Sequence, residues 1–253
     1  MSALTQLSGL RLMPTRYWDA GNFDVLLRLP ALRSLHILDV YRLPSCLDQL
    51  TGLEELVLIQ NAEVYVGDDL HEQLNEALRQ LVFLTSLYLD FEEIQDGLLA
   101  LASLQRLQRL CLGSDGYSPP NLPGGQWLSG LRELGVGWPC LRASAQALVA
   151  AAQLERIAVL SGLHAEVGHS RSLFSWLAGH PPLRRLEFYQ DGDTPSRMRN
   201  AVARLQQHRP GLQVDLIEGD LRESNFVAEF HTMKFFCCTA APPAADGTDS
   251  ELM

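Results

Sequence analysis

The residues with the makings of chemistry lie late in the chain. Gly168-His169-Ser170-Arg171-Ser172 has the outline of G-x-S-x-G, the turn that presents a nucleophilic serine. The final glycine is missing and the segment leads into a helical pattern, so Ser170 reads as a helix cap. Asp191-Gly192-Asp193-Thr194 follows a strand pattern, as a phosphatase-type aspartate pair would, but its spacing to threonine is one residue short. Asp and Gly in that run read as turn residues. His164, His169 and His180 fall within one connection, and no cysteine or carboxylate completes a four-ligand zinc set at suitable spacing. Cys237-Cys238 after Phe235-Phe236 could carry palmitate, although no membrane-anchoring neighbour accompanies them; the plainer reading is the edge of a cap. The terminal Ser250-Glu251-Leu252-Met253 could enter a carboxylate-binding pocket of a partner. No glycine-rich phosphate loop is present. The expectation is a chain with no catalytic residue, metal or cofactor.

A different regularity runs through the same residues. Residues 50–61 read L-x-x-L-x-x-L-x-L-x-x-N, and the frame occurs nine times in all. Numbered L1-x-x-L4-x-L6-x, its first position falls at Leu7, Leu32, Leu53, Leu84, Leu107, Leu131, Leu154, Leu183 and Leu212, in steps of 21 to 31 residues. Positions four and six point to one side of a short strand, and positions three, five and seven to the other.

The connections differ in kind. Residues 23–29 are apolar at helical spacing and stop at Pro30, while residues 45–50 leave room for one turn. The strongest helix is expected over residues 68–81, with Leu70, Leu74, Leu78 and Leu81 in one stripe and Asp68 or Asp69 as cap. Asp96 opens a shorter one. Residues 113–125, with Pro119-Pro120 and Gly124-Gly125, read as a loop. Residues 144–152 and 170–179 read as helices, and Pro195 opens another whose buried stripe is Met198, Val202 and Leu205.

Repeats of roughly 20–29 residues with L-x-x-L-x-L-x-x-N/C-x-L mark leucine-rich repeats. On these residues the chain resembles the leucine-rich-repeat superfamily, with long steps like the ribonuclease-inhibitor branch and short ones like tighter branches. The resemblance implies an α/β solenoid: a curved horseshoe of about nine repeats, with a parallel concave sheet and with helices and loops on the convex side. The expected organisation is a solenoid over 1–217, a C-terminal capping segment over 218–236 and a disordered tail over 237–253. The first repeat begins at Leu4 with no amphipathic segment ahead, so that end is expected to be the weak point of the stack. Many intracellular proteins of this kind are substrate receptors of ubiquitin ligases, but the F-box helices of that class do not precede the repeats in this sequence. The alternative is a structural part of a cytoskeletal or ciliary assembly.

Composition narrows the partners. A chain of 253 residues, 47% hydrophobic and 20% charged, suits a packed domain. Its net charge of −10 argues against nucleic acid and weakly favours basic partners. Five irregularly spaced cysteines and no signal peptide suit a reducing, cytoplasmic setting, or the cytoskeleton or a cilium axoneme. No apolar run is long enough for a membrane span. The expected partner is another protein, bound by a chain that is monomeric outside its complex.

The outward positions suggest where. Position five runs Tyr88, Cys111, Gly135, Ala158, Glu187 from the fourth copy to the eighth, and position seven runs Asp90, Gly113, Gly137, Leu160, Tyr189. Position three adds Arg109, Glu133, Arg156 and Arg185 along one edge. Bare glycines between bulky neighbours predict a shallow trough, walled by Tyr88 and Tyr189 about 20 Å apart, four strand steps. A partner's loop, or the chain's own tail with Phe235 and Phe236, could fill it. Trp18, Trp127, Trp138 and Trp176 stand outside the frame. Trp127 and Trp176 read as filler, and the loops around Trp138 as the alternative binding surface.

Overall fold

The structure is a computed structural model that describes residues 4–13, 20–40, 42–60, 69–91, 97–113, 121–160, 171–190 and 196–218. Its centre is one nine-stranded, all-parallel sheet in which spatial order follows chain order. The strands are β1 (Gly9–Leu12), β2 (Ser34–Val40), β3 (Glu55–Gln60), β4 (Ser86–Asp90), β5 (Arg109–Gly113), β6 (Glu133–Val136), β7 (Arg156–Val159), β8 (Arg185–Gln190) and β9 (Gln213–Glu218).

Strands β1 to β8 each begin at position three of a copy of the leucine frame, and β9 begins directly after Leu212. The backbone accounts for the spacing. The N–H of the first frame leucine bonds to the carbonyl three residues earlier, as in Leu53 to Leu50 and Leu107 to Leu104, so L-x-x-L is a tight turn. The carbonyl at position two then accepts from two N–H groups of the next copy. Arg33 O takes Glu54 and Glu55 N–H at 2.7 and 2.9 Å, and Glu54 O takes Thr85 and Ser86 at 2.8 and 3.1 Å. This shared acceptor holds equivalent positions side by side, so register passes unchanged from Gly9↔Ser34 through Ser34↔Glu55, Glu55↔Ser86, Ser86↔Arg109, Arg109↔Glu133, Glu133↔Arg156 and Arg156↔Arg185 to Arg185↔Gln213. The one irregularity lies in β2, between Ile37 and Val40. There Asp39 takes a φ of 60°, a left-handed conformation that aspartate tolerates better than most residues.

Frame positions four and six face the main core. Leu35, Leu56, Leu87, Leu110, Leu134, Ile157 and Leu186 are fully buried in it. Each such side chain stabilises the fold by about 2 kcal/mol through burial. The connecting helices complete this layer, and their type follows the length of the return. Four of the short steps hold 3₁₀ turns: Ala20–Arg28, Leu47–Gln49, Gly97–Ser103 and Gln126–Gly130. The longer steps hold α1 (Asp69–Gln80), α3 (Arg171–Gly179) and α4 (Ser196–His208).

The return after β6 departs from expectation. Instead of one helix over 144–152 it forms α2 (Trp138–Ser144), with proline in its first turn, and then a 3₁₀ turn at Ala147–Ala150. Trp138 and Trp127 are fully buried in the main core, where Trp138 packs on Phe174 and Phe188 at centroid distances of 5.6 and 6.2 Å. Trp138 is therefore core, not a binding surface. The capping segment and tail over 218–253 lie outside the described residues apart from Glu218.

Candidate functional site

The opposite face of the sheet carries the sequence-predicted site. Register places Tyr88, Cys111, Gly135, Ala158 and Glu187 in one row across β4 to β8, as the frame requires. The row is not an open trough. Tyr88, Cys111, Ala158, Glu187 and Tyr189 are each no more than 1% exposed, and Val57 and His36 continue the buried row toward β2. Leu38, Val57, Tyr88, Cys111, Ala158, Leu160 and Tyr189 form a second hydrophobic cluster. Gly113 and Gly135 are buried and Gly137 half-buried. At Gly113 the close neighbour is within the chain: a Cβ there would stand 2.9 Å from the Asp90 carboxylate, which lies over it. One signal in the sequence pointed this way. Leu56-Val57-Leu58-Ile59 is a continuous apolar run, and parallel strands buried on both faces read so, whereas half-exposed ones alternate.

Burial also sets the thiols. It pushes the Cys111 pKa well above the ordinary value; the nearby Asp90 charge adds to this and Arg109 opposes it. Cys140 is pushed up to about 12, again by burial first. Both are thiols and not thiolates at neutral pH, the opposite of what a nucleophile needs.

Position three is where charge gathers. Arg109 Nε lies 3.5 Å from Glu133 Oε2, and Arg156 Nη1 lies 3.9 Å from the same oxygen. Arg156 Nη2 then donates to both oxygens of Glu187, at 3.0 and 3.1 Å. Arg185 Nε reaches Glu187 Oε1 at 2.6 Å and Asp215 Oδ2 at 3.4 Å, and the Tyr189 hydroxyl donates to Glu187 Oε2 at 3.1 Å. The result is one ion-pair ladder over five strands, β5 to β9, with Glu187 buried at its heart. The sequence reading placed Arg109, Glu133, Arg156 and Arg185 at this edge, but it put Glu187 in the trough and did not single out Asp215. In β8 the Glu187 side chain turns back to the arginines on either side of it, and a position-by-position list cannot show that.

The same edge changes character toward β1. Ser8, Gly9, Arg33, Ser34, Glu54, Glu55, Thr85, Ser86, Gln108 and Arg109 line a cleft of about 340 Å³ across the starts of β1 to β5. None of these except Arg109 was singled out from the sequence. Ser34 Oγ donates to Glu55 Oε2 at 2.7 Å, and His36 Nε2 approaches Glu55 Oε1 at 3.7 Å. Burial raises the Glu55 pKa, but contact with His36 and Ser34 and the charge of Arg109 outweigh it and hold the carboxyl below the ordinary glutamate value.

Among the described residues no three His, Cys, Asp or Glu side chains come together to hold a metal, and no helix is long and apolar enough to cross a membrane. His180 is nearly buried beside Arg209; Ser170, Asp191, Asp193, His164, His169, Cys237 and Cys238 lie outside the described residues. The chain matches no model of a known protein family, and no curated protein matches it.

Proposed function

We propose that this chain is a leucine-rich-repeat protein that binds another protein and performs no catalysis, and that it binds along the edge where the strands begin. The observation that carries this reading is the double row of charge at that edge. Position three holds Arg109, Glu133, Arg156 and Arg185, which form the ladder with Glu187 and Asp215. Position two, one residue earlier, holds exposed pairs of its own: Arg33 with Glu54 at 3.8 Å and Arg132 with Glu155 at 3.9 Å. These position-two side chains are 42–58% exposed, so their attraction is screened and contributes little to stability. A repeated pattern of alternating charge with little structural role suits recognition, because charge complementarity selects partners and speeds encounter.

The buried middle of the sheet supports the same choice, since Tyr88, Cys111 and Tyr189 are not free to meet a partner. The narrower readings are the substrate-recognition part of an F-box-type ubiquitin ligase receptor and a fixed part of a cytoskeletal or ciliary assembly. Proximity labelling in cells separates them: ligase adaptor subunits favour the first, tubulin or motor subunits the second. Labelling that is indifferent to charge reversal at Arg132 and Glu155 counts against the edge itself.

A further inference from the structure

We infer that the cleft across the starts of β1 to β5 binds an extended peptide of about six residues that places a lysine or arginine over Glu55. The inference rests on the interaction reading above and adds the class of ligand. The length follows from geometry. The cleft crosses five strands, four steps of about 4.8 Å, and an extended chain advances about 3.3 Å per residue.

The sign of the ligand follows from how the lining charges are already used. The two arginines are already engaged within the chain: Arg33 stands 3.8 Å from Glu54, and the charge of Arg109 reaches Glu55. Arg33 donates to the carbonyls of Leu32 and Pro30 at 3.0 and 3.3 Å, and Arg109 turns toward Glu133. The two glutamates stand at the middle strand of the five. Glu54 is a 58% exposed rim, and Glu55, 4% exposed, lies in the floor. Glu55 accepts a short bond from Ser34 on Oε2 and has His36 Nε2 at 3.7 Å from Oε1, and because a carboxylate oxygen accepts more than one bond, acceptor capacity remains. One step along the register stands Ser86, 5% exposed, whose Oγ has no hydrogen-bond partner among the described residues. A buried hydroxyl without a partner is destabilising, and a cationic donor arriving over Glu55 would relieve it. Thr85 and Gln108 flank the same point with polar side chains for a peptide backbone. The net charge of −10 draws basic segments toward the chain in the first place.

The test uses four capped, fluorescein-labelled hexapeptides of glycine and serine, with two central arginines, lysines, glutamates or neither. Binding to the full chain is read by anisotropy at about 50 mM salt, where surface charge is weakly screened. The arginine and lysine peptides are expected to bind at least tenfold tighter than the other two. Glu55→Gln should abolish that preference, Ser86→Ala should weaken it several-fold, and Gln108→Arg should weaken it by repulsion from an exposed site that cannot disturb folding. Glu76→Gln, which removes a charge from the distant α1, should change nothing. Equal binding of all four peptides, insensitivity to both Glu55→Gln and Gln108→Arg, or an equal loss with Glu76→Gln would each overturn the inference. If the peptides fail while partner labelling still depends on Arg132 and Glu155, the cleft alone is refuted; if that dependence is absent too, the edge reading falls with it.

Discussion

At the residue scale the buried carboxylate of Glu187 carries the most consequence. It is fully buried, accepts hydrogen bonds from Arg156 and the Tyr189 hydroxyl, and is ion-paired with Arg185. A pair of this kind adds little net stability against an apolar replacement, but removing one member strands the others. Glu187→Ala should therefore cost about 3–5 kcal/mol in urea unfolding, and Tyr189→Phe, which removes one bond to a charged group, about 1.5–3 kcal/mol. Cys111 gives a direct probe of the same face. The thiols of Cys46, Cys111 and Cys140 should take up iodoacetamide only on unfolding, whereas an open trough would leave Cys111 reactive in the native state. Two groups link stability to acid. Burial, with some help from the Arg209 charge, lowers the His180 pKa below 6.5, so the fold favours neutral imidazole; that stability is present above pH 6.5 and is lost as pH falls toward the folded value. Glu55, lowered below 4.5, contributes stability present above pH 4.5 and lost below it. Unfolding midpoints measured from pH 7 to pH 3 should fall in two stages, and His180→Gln should remove the upper one. Arg109, Glu133, Arg156 and Arg185 were legible in sequence as a charged edge, whereas Glu187 read as a wall of the trough and Asp215 was not singled out. Their mutual contacts were not legible, because a frame gives positions and not the directions that long side chains take.

At the element scale one side chain ties a whole return path. Arg209, after α4, donates to the carbonyls of Leu177, His180, Pro181 and Leu183 at 3.2, 2.6, 3.2 and 2.8 Å. These carbonyls lie at the end of α3 and in the turn into β8, beyond the reach of helix bonds, and of the four His180 O also accepts the Leu183 N–H at 3.3 Å. Arg209→Ala should cost about 2–4 kcal/mol, summing modest losses over several charged bonds, and Arg209→Lys should recover little because an ammonium cannot span the fork. Hydrogen exchange should show the loss first in β8 and β9. The strands themselves were fully legible, since L-x-x-L is a turn whose carbonyls fix where each strand begins. Helix type was only partly legible. A 21-residue step has room for Leu47–Gln49 and no more, while a 31-residue step accommodates α1. The start of α2 was missed although Pro139 was its signal, because the alanine-rich run beyond it carries the stronger helical propensity.

At the scale of the whole molecule the sheet is one parallel array with edges at β1 and β9, and neighbours support each strand from both sides only in between. Amides of Gly9–Leu12 should therefore exchange faster than those of Arg109–Gly113, and equal protection would show that the first strand is supported by more than β2. The array also explains why the site was the harder reading. Inward leucines announce themselves by repetition, but the burial of Tyr88, Cys111 and Tyr189 on the other face follows no such frame. What the array presents outward along its length is the charged edge, and the central claim is that a partner reads it. The most direct measurement is the exchanged pair Arg132→Glu with Glu155→Arg. It preserves the ion pair within the chain while reversing what a partner meets, and Leu99→Lys on the helical side, 68% exposed, serves as control. Quantitative proximity labelling in cells should show the wild-type partners lost from the exchanged chain and kept by the control. An unchanged partner set with the exchanged pair would contradict the account.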